Sequence, residues 1–97
     1  MSRDNRVFHV FMPQGEIRTT NAHEFENDIL TALEKNPFLT LDMMNVHYVS
    51  SAGLRALLAA QQYVDSQEMA DLVLINVNDE VLSVLKTTGF VNVLTIK

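Results

Sequence analysis

Two adjacent hydroxyls, Ser50 and Ser51, followed by Ala52 and Gly53, stand between an apolar run and a leucine-rich stretch. Both are good helix caps, because a side-chain oxygen there accepts a bond from a first-turn N–H that has no partner within the helix. The same place can carry a phosphate, since free N–H groups and the helix dipole favour an anion. The pair therefore reads as a plain N-cap or as a phosphate acceptor. The three histidines, His9, His23 and His47, match no metal-ligand spacing such as two imidazoles one helical turn apart. His47 and Ser51 have the types of a base and a nucleophile, yet no Gly-x-Ser-x-Gly elbow or oxyanion loop accompanies them. No catalytic residue is expected. Asp42 either assists a phosphate transfer or bonds nearby backbone N–H groups. Gly15 and Gly53 fall in no phosphate-cradling pattern, so neither a nucleotide cofactor nor a metal is expected.

These side chains need a frame. Residues 7–12 form an apolar run closed by Pro13, Gln14 and Gly15, which predicts a first strand and a turn, and residues 16–18 predict a short second strand paired with it. Thr20 or Asn21 offers an N-cap for a helix to about Glu34, with Phe25, Ile29 and Leu33 on its apolar face. Pro37 ends it, because proline disfavours helical geometry in the residue before it. Residues 38–43 predict a strand, residues 44–49 a connection holding His47, and the next helix runs to about residue 66. Residues 71–77 are a near-continuous apolar run, the pattern of a strand covered on both faces. Asp79 can cap a third helix ending at Gly89, and residues 91–96 predict a last strand. Strand–helix–strand units with short links call for a largely parallel sheet. The expectation is one small α/β domain over residues 1–97, its sheet made mixed by the first hairpin, with helices packed against it.

Around the second helix, Leu54, Leu57 and Leu58 form a stripe predicted to face the core. Ala52, Ala56, Ala59 and Tyr63 fall on the opposite side and offer a smooth surface ending in an aromatic. Such a surface suits a docked protein. Alanines are also simply good helix formers.

Composition narrows the classes. Ninety-seven residues, 47% of them hydrophobic and 20% charged, are enough for one globular core. A net charge of −5 without a lysine or arginine cluster argues against nucleic acid, whose phosphates demand a basic surface. The absence of cysteine excludes disulfides and thiol catalysis and suits a reducing cytoplasm. No apolar run reaches the roughly 18 residues of a membrane span. Residues 1–6 are too polar for a signal peptide, so a cytoplasmic protein is expected.

The pieces occur in a familiar order. Leu41-Asp42, Val46, Tyr48-Val49 and Ser50-Ser51-Ala52-Gly53-Leu54 with Leu57-Leu58 resemble the phosphoacceptor region of STAS domains, specifically anti-sigma factor antagonists of bacterial partner-switching systems. Gly15-Glu16-Ile17 resembles the segment before the family's first helix, and residues 78–81 with 85–90 resemble its closing helix and terminal glycine. The resemblance implies a monomeric switch, not an enzyme. It implies that the unphosphorylated form binds an anti-sigma factor with an ATP-binding serine-kinase fold and releases that protein's client. Phosphorylation at Ser51, two residues before the family glycine, would end the binding, and a serine phosphatase would reset it. Many members carry Asp just before the acceptor where this chain has Ser50, which leaves Ser50 as the alternative acceptor. Ser50, Ala52, Gly53, Ala56, Ala59 and Tyr63 are the partner-binding residues so implied. A permanent STAS subunit of a larger signalling or membrane-transport assembly is the alternative function.

Overall fold

A computed structural model of the protein describes residues 7–97; the polar run of residues 1–6 lies outside the described residues. The order is β1 (His9–Phe11), β2 (Gly15–Ile17), α1 (Ala22–Lys35), β3 (Phe38–Asp42), β4 (Val46–Val49), α2 (Ser51–Asp65), β5 (Asp71–Ile75), α3 (Asp79–Thr88), a 3-10 turn (Phe90–Asn92) and β6 (Thr95–Ile96). Four strands form one sheet in the order β1-β3-β5-β6, and β2 pairs with β4 in a second. Every pairing is parallel. The α/β class and the three helices match the expectation, but the first hairpin does not form. Pro13 has no N–H to give, and Gly15, at φ +87°, turns the chain out of the first sheet. The Gly15 N–H then donates to the Asn45 carbonyl at 2.8 Å, and β2 joins β4.

Helices α1 and α2 pack on each other, α1 touches β3, and α2 touches β5. The α1 stripe Ala22, Phe25, Ile29 and Leu33 is buried. Beneath it Leu39, Leu41, Leu72 and Leu74 are fully buried. Their neighbours on β3 and β5 point the other way. Register places Val10, Thr40, Val73 and Thr95 in one row across all four strands. That row is half-buried to exposed, so β5 is covered on one face, not on two.

Three boundaries differ from expectation. Residues 46–49 form β4 and not a connection, so His47 is a strand residue. Asn78, not Asp79, caps α3, its side chain accepting from the Val81 N–H at 2.8 Å. The last apolar run begins as a 3-10 turn after Gly89 and leaves only Thr95–Ile96 as strand.

Candidate functional site

The site begins with a glycine. A Cβ on Gly53 would lie 2.7 Å from both Ile17 Cγ2 and Val49 Cγ1. These are branch methyls of stiff side chains on β2 and β4, so only glycine lets the first turn of α2 press onto the second sheet. The Ser50 N–H extends that contact, donating to the Ile17 carbonyl at 2.8 Å.

The two serines then part company. Ser50 is buried, with extended backbone, and its Oγ accepts from the Gly53 N–H at 3.1 Å. Its carbonyl accepts the first helical bond, from the Leu54 N–H at 2.9 Å. Ser51 is the first helical residue and is exposed, and its hydroxyl has no hydrogen-bond partner among the described residues. The backbone N–H groups of Ser51 and Ala52 are likewise without partners there. No acidic residue sits in the first turn. A hydroxyl thus stands in the open at a positive helix end with two free donors.

The surroundings are open and mixed. Glu16, Arg18, Thr19, Tyr48 and Ser50 line a shallow hollow of about 430 Å³. Arg18 is paired with Glu16 across its rim. Tyr48 is 52% exposed. Arg55 is exposed on α2 four residues after Ser51, hence on the same face. That spacing alone makes its relation to Ser51 readable in the sequence.

Other candidates go elsewhere. His47 makes no hydrogen bond to Ser51; it lines a second cleft, between β4 and the start of α3. His9 and His23 are exposed on β1 and α1. Among the described residues no three His, Asp or Glu side chains could hold a metal ion. Asp42 bonds its surroundings: its Oδ1 accepts from the Met44 N–H at 3.1 Å and from the Asn76 side chain at 3.0 Å. No helix among the described residues is long and apolar enough to cross a membrane.

A model of the STAS domain matches residues 2–97. The chain belongs to the STAS domain family. BtrV of Bordetella bronchiseptica, a candidate anti-sigma factor antagonist, is 30% identical over 81 residues, covering 82% of this chain and 69% of BtrV. A candidate anti-sigma factor antagonist from Thermotoga maritima has a crystal structure that superposes with a TM-score of 0.82 at 23% identity, over 92% of this chain and 77% of that one. Unphosphorylated SpoIIAA, an anti-sigma factor antagonist, matches with a TM-score of 0.69 at 13% identity, over 99% of this chain and 84% of its own. These two structures share the fold of this STAS domain.

Within the STAS domain the expected docking face needs correcting. Ala56 is 1% exposed and Gly53 is buried, so neither is presented to a partner. The reason is helix phase. α2 rests on α1 as well as on the sheets, and its buried side includes Ala56 and Ala60. Ala52 and Tyr63 are half-buried against the core, while Leu58, expected inside, is only half-buried. The outward strip of α2 is Ser51, Arg55, Leu58, Ala59 and Gln62.

Proposed function

We propose that this STAS domain is an anti-sigma factor antagonist, a binding module switched by phosphate on Ser51. The reading rests on one observation: of two adjacent serines, Ser51 stands exposed at the open N-terminus of α2 while Ser50 is buried as its cap. The names of the relatives support it. Unphosphorylated, the domain docks on an anti-sigma factor with an ATP-binding serine-kinase fold, through Ser51, Ala59 and the half-buried Ala52 and Tyr63. That contact frees the anti-sigma factor's client. In the kinase, Ser51 Oγ attacks the γ-phosphorus of ATP, its proton passes to a kinase base, and ADP leaves. The product carries about −1.5 to −2 charges and three strong acceptor oxygens. At the helix end that charge meets free N–H groups and Arg55; inside a packed interface it is costly to desolvate. A separate serine phosphatase resets the switch. The domain itself catalyses nothing.

The test is phosphate incorporation from ATP in the presence of the cognate kinase, mapped by mass spectrometry. Ser51→Ala should abolish incorporation and keep partner binding. Incorporation that survives Ser51→Ala but not Ser50→Ala would move the site by one residue. A stable stoichiometric complex without phosphate transfer would make the domain a permanent subunit.

A further inference from the structure

Away from Ser51, an unguarded strand edge lies along an acidic helix. β1 is the edge of the four-stranded sheet; one side pairs with β3, and the other has no strand neighbour among the described residues. Between that edge and α1 run two hollows, of about 490 Å³ and about 270 Å³, which share Phe11 and Asp28 and so form one groove. β1 and α1 run past each other along it: His9 stands with Lys35 and Asn36 at one end, and Met12 with Asn21 and Glu24 at the other. Phe11, Ile17, Phe25 and Ala32 give it an apolar lining. Four of the chain's twelve carboxylates lie on α1, against the single lysine Lys35. Two of them, Glu24 and Asp28, line the groove, exposed and without an ion-pair partner among the described residues.

We propose that this groove receives an extended, basic segment of a partner protein, added as a strand to the free side of β1. Three features carry the inference. An open edge offers the backbone N–H and C=O groups that strand addition uses. A strand sends alternate side chains to one face, about 6.6 Å apart. Glu24 and Asp28 are four residues apart on a helix, about 6 Å along its axis. Two basic side chains at alternate positions of an added strand therefore reach the two carboxylates, with apolar residues between them on the opposite face. The uncompensated acid excludes an acidic strand and disfavours a second copy of this chain, which carries −5 itself.

The probe is an eight-residue peptide of alternating valine and lysine, titrated into the isotope-labelled protein and followed by amide chemical shifts. Shifts should concentrate on residues 9–12 and 21–36, and the same peptide with glutamate for lysine should cause none. The double variant Glu24→Lys, Asp28→Lys should bind about tenfold more weakly, as two exposed charge contacts turn repulsive. A peptide N-methylated at every residue keeps its charge but has no N–H to give from either edge; it should not bind, and this arm needs only the wild-type protein. Equal binding of the N-methylated or the glutamate peptide would overturn the proposal, as would shifts centred elsewhere. Shifts on β1 that grow with protein concentration alone would overturn it in favour of self-association.

Discussion

Helices α2 and α3 start on the same plan and diverge within one turn. Each is capped by an extended residue whose side chain accepts from the N–H three residues on, Ser50 from Gly53 and Asn78 from Val81. After the cap, α3 supplies Asp79 and Glu80, whereas α2 supplies Ser51 and Ala52. The dipole of α3 is thus met by its own carboxylates, and that of α2 is left open. At the third position α3 buries Val81 in the core, and α2 has Gly53 against β2 and β4. One helix end is finished as structure. The other is held close by glycine and kept electrostatically vacant, the state that suits an anion added later.

The sharpest way to break this contrast is to give α2 the residue that α3 carries. Gly53→Val puts a branched side chain where even a lone Cβ meets two methyl carbons at 2.7 Å. Overpacking of this kind usually costs 1–3 kcal/mol, and about 3 kcal/mol is expected here, read as a lower urea midpoint. A variant as stable as wild type would mean that β2 and β4 yield and that the close approach has no structural basis.

Next comes the vacancy itself. Phosphate on Ser51 should lower affinity for the anti-sigma partner at least a hundredfold, about 2.7 kcal/mol, by calorimetry. The thermal midpoint of the free domain should not fall, because the charge lies at a favourable helix end. Equal affinity of the two forms would defeat the switch.

How much of this contrast the sequence carries depends on the residue. The stripe Phe25, Ile29 and Leu33 is visible because spacing alone encodes it. So is the glycine stop at Gly89, which sits at φ +82°. The one-sided burial of β5 is hidden, since Leu72, Val73, Leu74 and Ile75 are apolar on both faces and only Leu72 and Leu74 are fully buried. β4 is hidden: Val46 and Val49 are buried with His47 and Tyr48 exposed between them, a pattern that breaks strict alternation. Ala56 is hidden for a different reason. Its burial depends on which elements α2 packs against, and a single helix's periodicity cannot encode its neighbours. The choice between Asn78 and Asp79 turns on one residue between two good capping types. Ser50 and Ser51 were ambiguous in the same way, and the hydrogen bond to Gly53 separates them.

The caps themselves should differ in value. Ser50→Ala removes one accepted bond and should cost about 1 kcal/mol. Asn78 also donates from its side chain to the Val46 carbonyl at 2.9 Å, tying α3 to β4. Asn78→Ala should therefore cost about 2 kcal/mol, with both variants measured by urea unfolding in one buffer. If Ser50→Ala proves the costlier, the Val46 bond adds nothing and α2 depends on its cap more than α3 does.

The smallest effect is the most specific to the contrast, because it exchanges the two first-turn residues. Ser51→Asp places a carboxylate at the open end of α2 and should stabilise the free domain by about 0.3–1 kcal/mol. Asp79→Ser takes one from the filled end of α3 and should destabilise it by a similar amount. Both changes should shrink in high salt, where exposed charges are screened. The double exchange should return close to wild type, since no hydrogen bond or ion pair joins Ser51 to Asp79 among the described residues. Ser51→Asp also makes the net charge of −5 more negative by one, a general repulsion that opposes the local gain. Gln62→Glu controls for that term: it adds the same charge at an exposed position near the C-terminus of α2, where the dipole is unfavourable, and should destabilise slightly. If Ser51→Asp and Gln62→Glu shift stability in the same direction and by the same amount, the helix end exerts no local preference. The vacancy at α2 would then be an absence of acid and nothing more, and a phosphate on Ser51 would have to be accommodated by Arg55 alone.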